Sequence, residues 1–366
     1  MFESIVGQEN AKKTIRSMME SGRIPHTLLF AGPSGVGKGE MAFEVARMLL
    51  CENGLDSGCT TCGACVRASK IEHPDLHVLY PFRAQPLPAK EYNGWIDSLS
   101  GHRKRLAAEP YAPIVYEKGR QIVVGLVGEV RDRLLESSFE GGRKVCVILL
   151  AERLNPKTGN TLLKILEEPP DGVHFILTTE RLSSVLPTIV SRASIVRFRR
   201  LYDREIEDYL EKAGVVDPGE RRSFALAGEG SLKAAKSFAF SDIISVYGRA
   251  GDMYAAVAAG NYDTVVSCAY PYLKLRDQLE AEELVYGFIH CTRDVLNVKI
   301  GQNPRTGNHA DVIGSLSDAT DIASLERLSG GLEKGLDMLG RNVNVSMVIT
   351  TLLYEIHDAY RTRQYR

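Results

Sequence analysis

The run Thr27-Leu28-Leu29-Phe30-Ala31 has the character of a buried strand. It leads straight into Gly32-Pro33-Ser34-Gly35-Val36-Gly37-Lys38-Gly39, after which Met41, Val45, Met48 and Leu49 recur at helical spacing. A G-x-x-x-x-G-K segment between strand and helix constrains this chain more than any other feature. The glycines let backbone N–H groups wrap a phosphate, the lysine reaches the outer phosphates, and the helix N-terminus contributes the positive end of its dipole. Gly32, Gly35, Gly37 and Lys38 are therefore candidate nucleotide-binding residues.

The chemistry of this loop is less complete than its shape. The position after the lysine ordinarily carries Ser or Thr, whose hydroxyl holds Mg²⁺, and here it is Gly39. The matching acidic strand end is missing too. The segment Lys144-Val145-Cys146-Val147-Ile148-Leu149-Leu150 closes on two leucines where metal-holding and water-orienting carboxylates are expected. Glu152 follows two residues on and reads as a surface or capping carboxylate. Nucleotide can be bound, while the Mg²⁺ ligands are lost and hydrolysis is expected to be very weak or absent.

Around this loop, short apolar runs alternate with helical patterns over the first two hundred residues, the signature of a parallel sheet flanked by helices. Strands are predicted at Thr27 to Ala31, Leu76 to Tyr80, Val145 to Leu150, Val173 to Thr178 and Ile195 to Phe198. Phe82 to Gly119 breaks the rhythm with prolines, Trp95 and Arg103-Lys104-Arg105, and reads as a surface insertion. After Arg200 helices take over: Asp203 to Lys212, then Arg222 to Phe238 interrupted at Gly228-Glu229-Gly230, then helical pattern to the end. Three domains are expected: residues 1–200 with the cysteine module at 51–65 and the insertion at 82–119, a small helical domain at 201–240, and a helical domain at 241–366.

Seven cysteines are present, and Cys51, Cys59, Cys62 and Cys65 fall within fifteen positions as C-x7-C-x2-C-x2-C. Four thiolates can close a tetrahedral shell around Zn²⁺, leaving no open position for a catalytic water. A structural tetrathiolate zinc site is favoured over free thiols or two disulfides, because C-x2-C steps chelate well and disulfides are disfavoured in the cytosol. The cytosol is the expected location: the start Met1-Phe2-Glu3-Ser4 lacks the form of a secretion signal, and no stretch reaches the about 18–20 apolar residues of a membrane span. With 45 Lys and Arg against 46 Asp and Glu, the net charge of -1 speaks against a chain that binds nucleic acid by bulk charge.

Taken together, these residues resemble the bacterial clamp-loader family, the AAA+ subunits of the DNA polymerase III holoenzyme. The resemblance runs through Ile5-Val6-Gly7-Gln8, Pro25-His26-Thr27-Leu28-Leu29-Phe30, the phosphate loop, the four cysteines and His73-Pro74-Asp75-Leu76. It is most specific in Ala151-Glu152-Arg153-Leu154-Asn155 with Leu162-Leu163-Lys164-Ile165-Leu166-Glu167-Glu168-Pro169-Pro170. It continues in Leu186-Pro187-Thr188-Ile189-Val190-Ser191-Arg192-Ala193, where Ala193 replaces the family's cysteine, and in Arg341-Asn342-Val343-Asn344.

The resemblance implies a RecA-like AAA+ phosphate-loop domain with an inserted zinc module, a helical lid and a helical C-terminal collar. It implies that Val6 lies against adenine, that Thr178 or Thr179 senses the γ-phosphate, and that Arg192 reaches in trans to a nucleotide held by a neighbouring subunit. By spacing alone Arg192 would be an ordinary surface arginine. Lys233 falls where hydrolysing members carry a sensing arginine, and by itself reads as a solvated helix lysine. The implied partners are gamma/tau-type ATPases and delta in a hetero-oligomer, with the sliding clamp and primed DNA reached through the assembly. A catalytically active gamma/tau-like subunit is the alternative. Arg103-Lys104-Arg105 reads as the solvated face of a loop, with DNA phosphates as its other reading.

Overall fold

The computed structural model describes residues 2–55, 59–81, 122, 124–140, 142–240, 243–260, 262–271, 278–302, 304, 310–340 and 343–361. The insertion at 82–119, with Arg103-Lys104-Arg105, lies outside these residues, as do Arg341, Asn342, Arg363 and Arg366. The chain gathers into two compact units, one of Met1–Tyr209 with Glu229–Lys233, the other of Leu210–Gly228 with Ala234–Arg366.

The first unit is built on five strands: β1 (Thr27–Ala31), β2 (Leu76–Leu79), β3 (Lys144–Ile148), β4 (Val173–Thr179) and β5 (Ser194–Arg197). All pair in parallel, in the order β2-β3-β4-β1-β5. β1, β3 and β4 are buried along their whole length, as expected of central parallel strands covered on both faces. Their helical cover includes α1 (Glu9–Glu20), α2 (Lys38–Leu49), α3 (Gly63–Ser69), α4 (Val124–Leu135), α5 (Pro156–Glu167) and the short α6 (Pro187–Val190). Strand order and the phosphate loop after β1 make this a RecA-like AAA+ fold.

Local chemistry sets the helix ends. Asn155 caps α5 by accepting the Thr158 N–H at 2.9 Å, and Pro156 occupies the first turn, where its missing N–H costs nothing. The helix stops before Pro169-Pro170. The core of this unit gathers Phe30 and Phe175 from the sheet and Phe198 just past β5 with Ile15, Met41, Val45 and Leu162 from the helices.

Helix α7 (Asp203–Lys212) begins where the sequence pattern puts it. The interruption at Gly228-Glu229-Gly230 separates α8 (Pro218–Gly228) from α9 (Leu232–Phe240). The second unit then continues through α10 (Ile243–Ala259), α11 (Tyr262–Ala269), α12 (Gln278–Lys299), α13 (Ala310–Ala319), α14 (Ile322–Gly340) and α15 (Val345–Arg361). Its core takes Leu284, Phe288 and Val295 from α12 and Val348, Leu352, Leu353 and Ile356 from α15. Met347, one of the apolar positions of that last stretch, instead points outward at 68% exposure beside the Asn344 cap. Inside this core the Tyr254 hydroxyl lies 3.1 Å from those of Tyr360 and Thr292, a buried polar cluster that satisfies its own hydrogen bonds. No helix among the described residues is long and apolar enough to cross a membrane.

Candidate nucleotide site, interface arginine and metal centre

Register brings the site together at the C-terminal ends of the central strands. Phe30 pairs with Thr178, Ala31 with Thr179, and Ile148 with Leu177, so the phosphate loop, the β4 end and Leu149-Leu150 emerge side by side. The Gly32 N–H donates to the Thr179 carbonyl at 3.2 Å, anchoring the start of the loop. Gly35 (φ 70°) and Gly37 (φ 98°) take left-handed conformations that L side chains rarely adopt. A Cβ at Gly35 would also collide with Ser231 Oγ and lie 2.7 Å from Lys233 Cβ.

Lys38 opens α2 and is buried, its Nζ donating to the Pro33 carbonyl. Burial lowers its pKa, which Glu180, Glu152 and Glu40 partly restore and Lys233 lowers further. The expectation that Lys233 is a solvated lysine is corrected. The Leu232 and Lys233 N–H groups both donate to the Gly35 carbonyl, at 2.9 and 3.4 Å, and burial lowers the Lys233 pKa. Two lysines thus flank the loop. Helical periodicity had no means of showing the second, because its partner is far away in sequence.

Val6 is half-buried in the turn Val6-Gly7-Gln8. Gln8 ties that turn to the loop: its amide nitrogen donates to the Val36 carbonyl at 3.2 Å and to that of Arg199 at 2.7 Å, and its oxygen accepts the Arg199 N–H at 3.1 Å. Thr178 is buried, its hydroxyl accepting the Leu150 N–H at 3.1 Å. Gly39 has no steric reason to be glycine, since an added Cβ would meet nothing within 4 Å. Leu149 is buried and Leu150 turns with φ 57°. Glu152 accepts the Glu180 N–H at 3.0 Å through Oε1, while its Oε2 is buried with no hydrogen-bond partner.

Arg192 follows α6 with its side chain 34% exposed. Its Nη1 donates to the Thr188 carbonyl at 2.8 Å and its Nη2 to Glu167 Oε1 at 2.5 Å. The guanidinium is thus held against the end of α5, at the surface. Of the other basic residues, Arg199 pairs with Glu205 at 2.7 Å and lies over the Tyr202 ring.

The sulfur atoms of Cys51, Cys59, Cys62 and Cys65 all lie within 4.8 Å of one another, with Cys51 and Cys62 4.0 Å apart. A tetrahedral shell with Zn–S near 2.3 Å places sulfurs about 3.8 Å apart, so the set fits zinc with a small contraction. Backbone donors already point at the sulfurs: Cys62 N–H at Cys59 Sγ and Cys65 N–H at Cys62 Sγ, both 3.4 Å. The Cys62 N–H, first among the causes and followed by the Thr61 N–H and the Asn53 amide, pushes the Cys59 thiol down to about 6. Burial pushes the Cys65 thiol up.

An ionic and hydrogen-bonded ladder ties α3 to the sheet. Arg67 on α3 bonds Glu140 at 2.7 Å, Glu140 lies 3.1 Å from His73 Nε2, and the buried Asp75 accepts the Phe139 and Glu140 N–H groups at 2.8 and 3.1 Å. His73 Nδ1 accepts the Asp75 N–H at 3.1 Å, so the neutral ring carries its proton on Nε2, facing Glu140. Burial lowers the His73 pKa below the usual 6.5 against the pull of Glu140 and Asp75. With the folded pKa depressed, the unfolded chain binds the extra proton first. The stabilisation is full above about 6.5 and is lost as pH falls through the folded value. The urea midpoint is therefore expected to drop below that pH more steeply in the wild type than in His73→Gln. Parallel profiles would remove His73 from this ladder.

Comparison with known proteins decides the family. A family model described as DNA polymerase III, delta subunit, matches residues 7–202, which hold all five strands of the described residues and the site residues above except Val6 and Lys233. The chain belongs to the DNA polymerase III delta-subunit family. It is 27% identical over 203 residues to DNA polymerase III subunit delta' of Bacillus subtilis, covering 56% of this chain and 51% of that protein. The corresponding subunit of Pseudomonas aeruginosa is 32% identical over 168 residues, 46% of this chain and 41% of that one. DNA polymerase III subunit tau of Escherichia coli is 30% identical over 267 residues, 72% of this chain and 36% of that one. The chain spans about half the length of such relatives, or less.

Proposed function

We propose that this family member is a delta-prime-type, non-hydrolysing subunit of a cytoplasmic clamp loader. It would support ATP-dependent loading of the sliding clamp onto primed DNA and donate Arg192 in trans to a neighbouring gamma/tau-type ATPase, with delta as a further partner. Residues 201–240 would serve as a lid and 241–366 as a collar through which subunits join. The observation that carries this reading is the coincidence, at the C-terminal ends of the central strands, of a phosphate loop with the loss of side-chain oxygens at Gly39, Leu149 and Leu150. Gly39 has room for a hydroxyl and lacks one, so steric need does not account for the loss. Val6, Gly32, Gly35, Gly37, Lys38 and Thr178 would retain a nucleotide pocket without its metal.

A second reading, an active gamma/tau-like ATPase, draws on Glu152, whose charge reaches Lys38 and whose Oε2 has no hydrogen-bond partner. One measurement separates the two. The purified chain with Mg²⁺ and ATP is expected to show no turnover above a Lys38→Ala control. Turnover abolished by Lys38→Ala would overturn the first reading in favour of the second.

A further inference from the structure

Arg47 stands four residues before Cys51 on the last turns of α2, and its side chain is only 5% exposed. Burying a guanidinium is costly unless each edge finds a partner. One edge is paired by Glu44, with Nε 2.9 Å from Oε2 and Nη2 2.6 Å from Oε1. The remaining Nη1 points into the cysteine cluster, donating to the Cys59 carbonyl and lying 3.3 Å from Cys65 Sγ. Asn53 Nδ2, 3.3 Å from Cys59 Sγ, is a neutral donor to the same cluster. Arg47 brings a full charge.

That charge has a use only if the sulfurs are thiolates. Four thiolates around Zn²⁺ leave two uncompensated negative charges, and a cation bonded to one sulfur offsets part of the cost of holding them in a half-buried site. Glu44 takes the Nε and Nη2 donors, which leaves Nη1 as the donor that meets the cluster. Groups that bond metal ligands from outside the ligand shell typically change metal affinity by about 10–100-fold.

We propose that Arg47 is the charge-compensating outer partner of a tetrathiolate zinc centre, acting on Cys65 Sγ and, through its carbonyl, on Cys59. The proposal rests on reading the four cysteines as a zinc site. It also gives α2 two charged duties, Lys38 at the phosphate loop and Arg47 at the metal.

The test titrates full-length wild type, Arg47→Lys and Arg47→Gln with zinc against a colorimetric chelator, and records the thiolate-to-metal charge-transfer band of the Co²⁺-loaded forms. Arg47→Lys keeps the charge without the planar fork, and Arg47→Gln keeps a donor without the charge. The expected result is a zinc affinity about 10–100-fold weaker in Arg47→Gln, with a shifted band, and largely restored in Arg47→Lys. Wild-type affinity in Arg47→Gln, or equal losses in both variants, would overturn the charge role and leave Arg47 as an architectural clamp on the Cys59 carbonyl. A wild type that binds neither Zn²⁺ nor Co²⁺ would instead overturn the zinc reading itself.

Discussion

Arg192→Ala is expected to lower ATP turnover at the interface it serves by about 10³-fold or more in a reconstituted clamp-loader assembly, the range in which an arginine supplied in trans acts. The chain's own stability should hardly change. The Arg192–Glu167 pair is exposed at 34% and 45%, and exposed pairs contribute about 0–1 kcal/mol. The Thr188 carbonyl, the Ser191 hydroxyl and Glu167 hold the guanidinium, and none of them buries it. A neighbour's triphosphate, with more negative charge than one carboxylate, could take the arginine from Glu167. Arg192→Lys should recover little, because an ammonium lacks the planar fork that spans phosphate oxygens. The measurement is clamp- and DNA-stimulated turnover together with a melting curve of the isolated chain. Unaltered turnover in Arg192→Ala would remove the trans role. A large drop in melting temperature would mean that Arg192 serves the fold instead.

Cys62→Ser is the second large effect. Cys62 has two roles: its sulfur belongs to the four-cysteine cluster, and it caps α3 by accepting the Cys65 N–H. Serine is among the best N-cap residues, so this change keeps the cap while removing one thiolate. Zinc content is expected to fall from one per chain to near zero, because a structural site needs its full tetrahedral set. Protection from proteolysis should then be lost around 51–70. The β-sheet core built on Phe30, Phe175 and Leu162 should survive, since none of those residues contributes to the metal set. The readouts are metal-to-protein ratio, peptide mapping after brief proteolysis, and circular dichroism. A variant that keeps stoichiometric zinc would overturn the tetrathiolate reading.

Much of the fold was legible because strands and helices are local patterns. The predicted β1 matches residue for residue, and the other four strands shift by one or two residues at their ends. β4 runs on to Thr179, whose carbonyl accepts the first N–H of the phosphate loop, a pairing made across the sheet. Lys233 was misread for the same reason: the reversal at Gly230 (φ 79°) carries it back onto Gly35. Arg47 had a usable signal, its i,i+4 spacing to Cys51, but an arginine on a helix is usually solvated and the motif drew attention to the cysteines. Gln8 belonged to the Ile5-Val6-Gly7-Gln8 segment of the resemblance, but its bonds to Val36 and Arg199 had no local signature.

The sequence by itself determined the features that residue type and short spacing control: the phosphate loop between strand and helix, the absence of side-chain oxygen at Gly39, Leu149 and Leu150, and the four-cysteine set. Only the tertiary structure decided which polar groups meet. It set β4 between β1 and β3, brought Lys233 and Gln8 onto the loop, held Arg192 on Glu167, and turned Arg47 toward Cys65. The physical reason is that a buried donor or charge must find a partner, and that partner is supplied by chain crossings whose geometry no local pattern encodes.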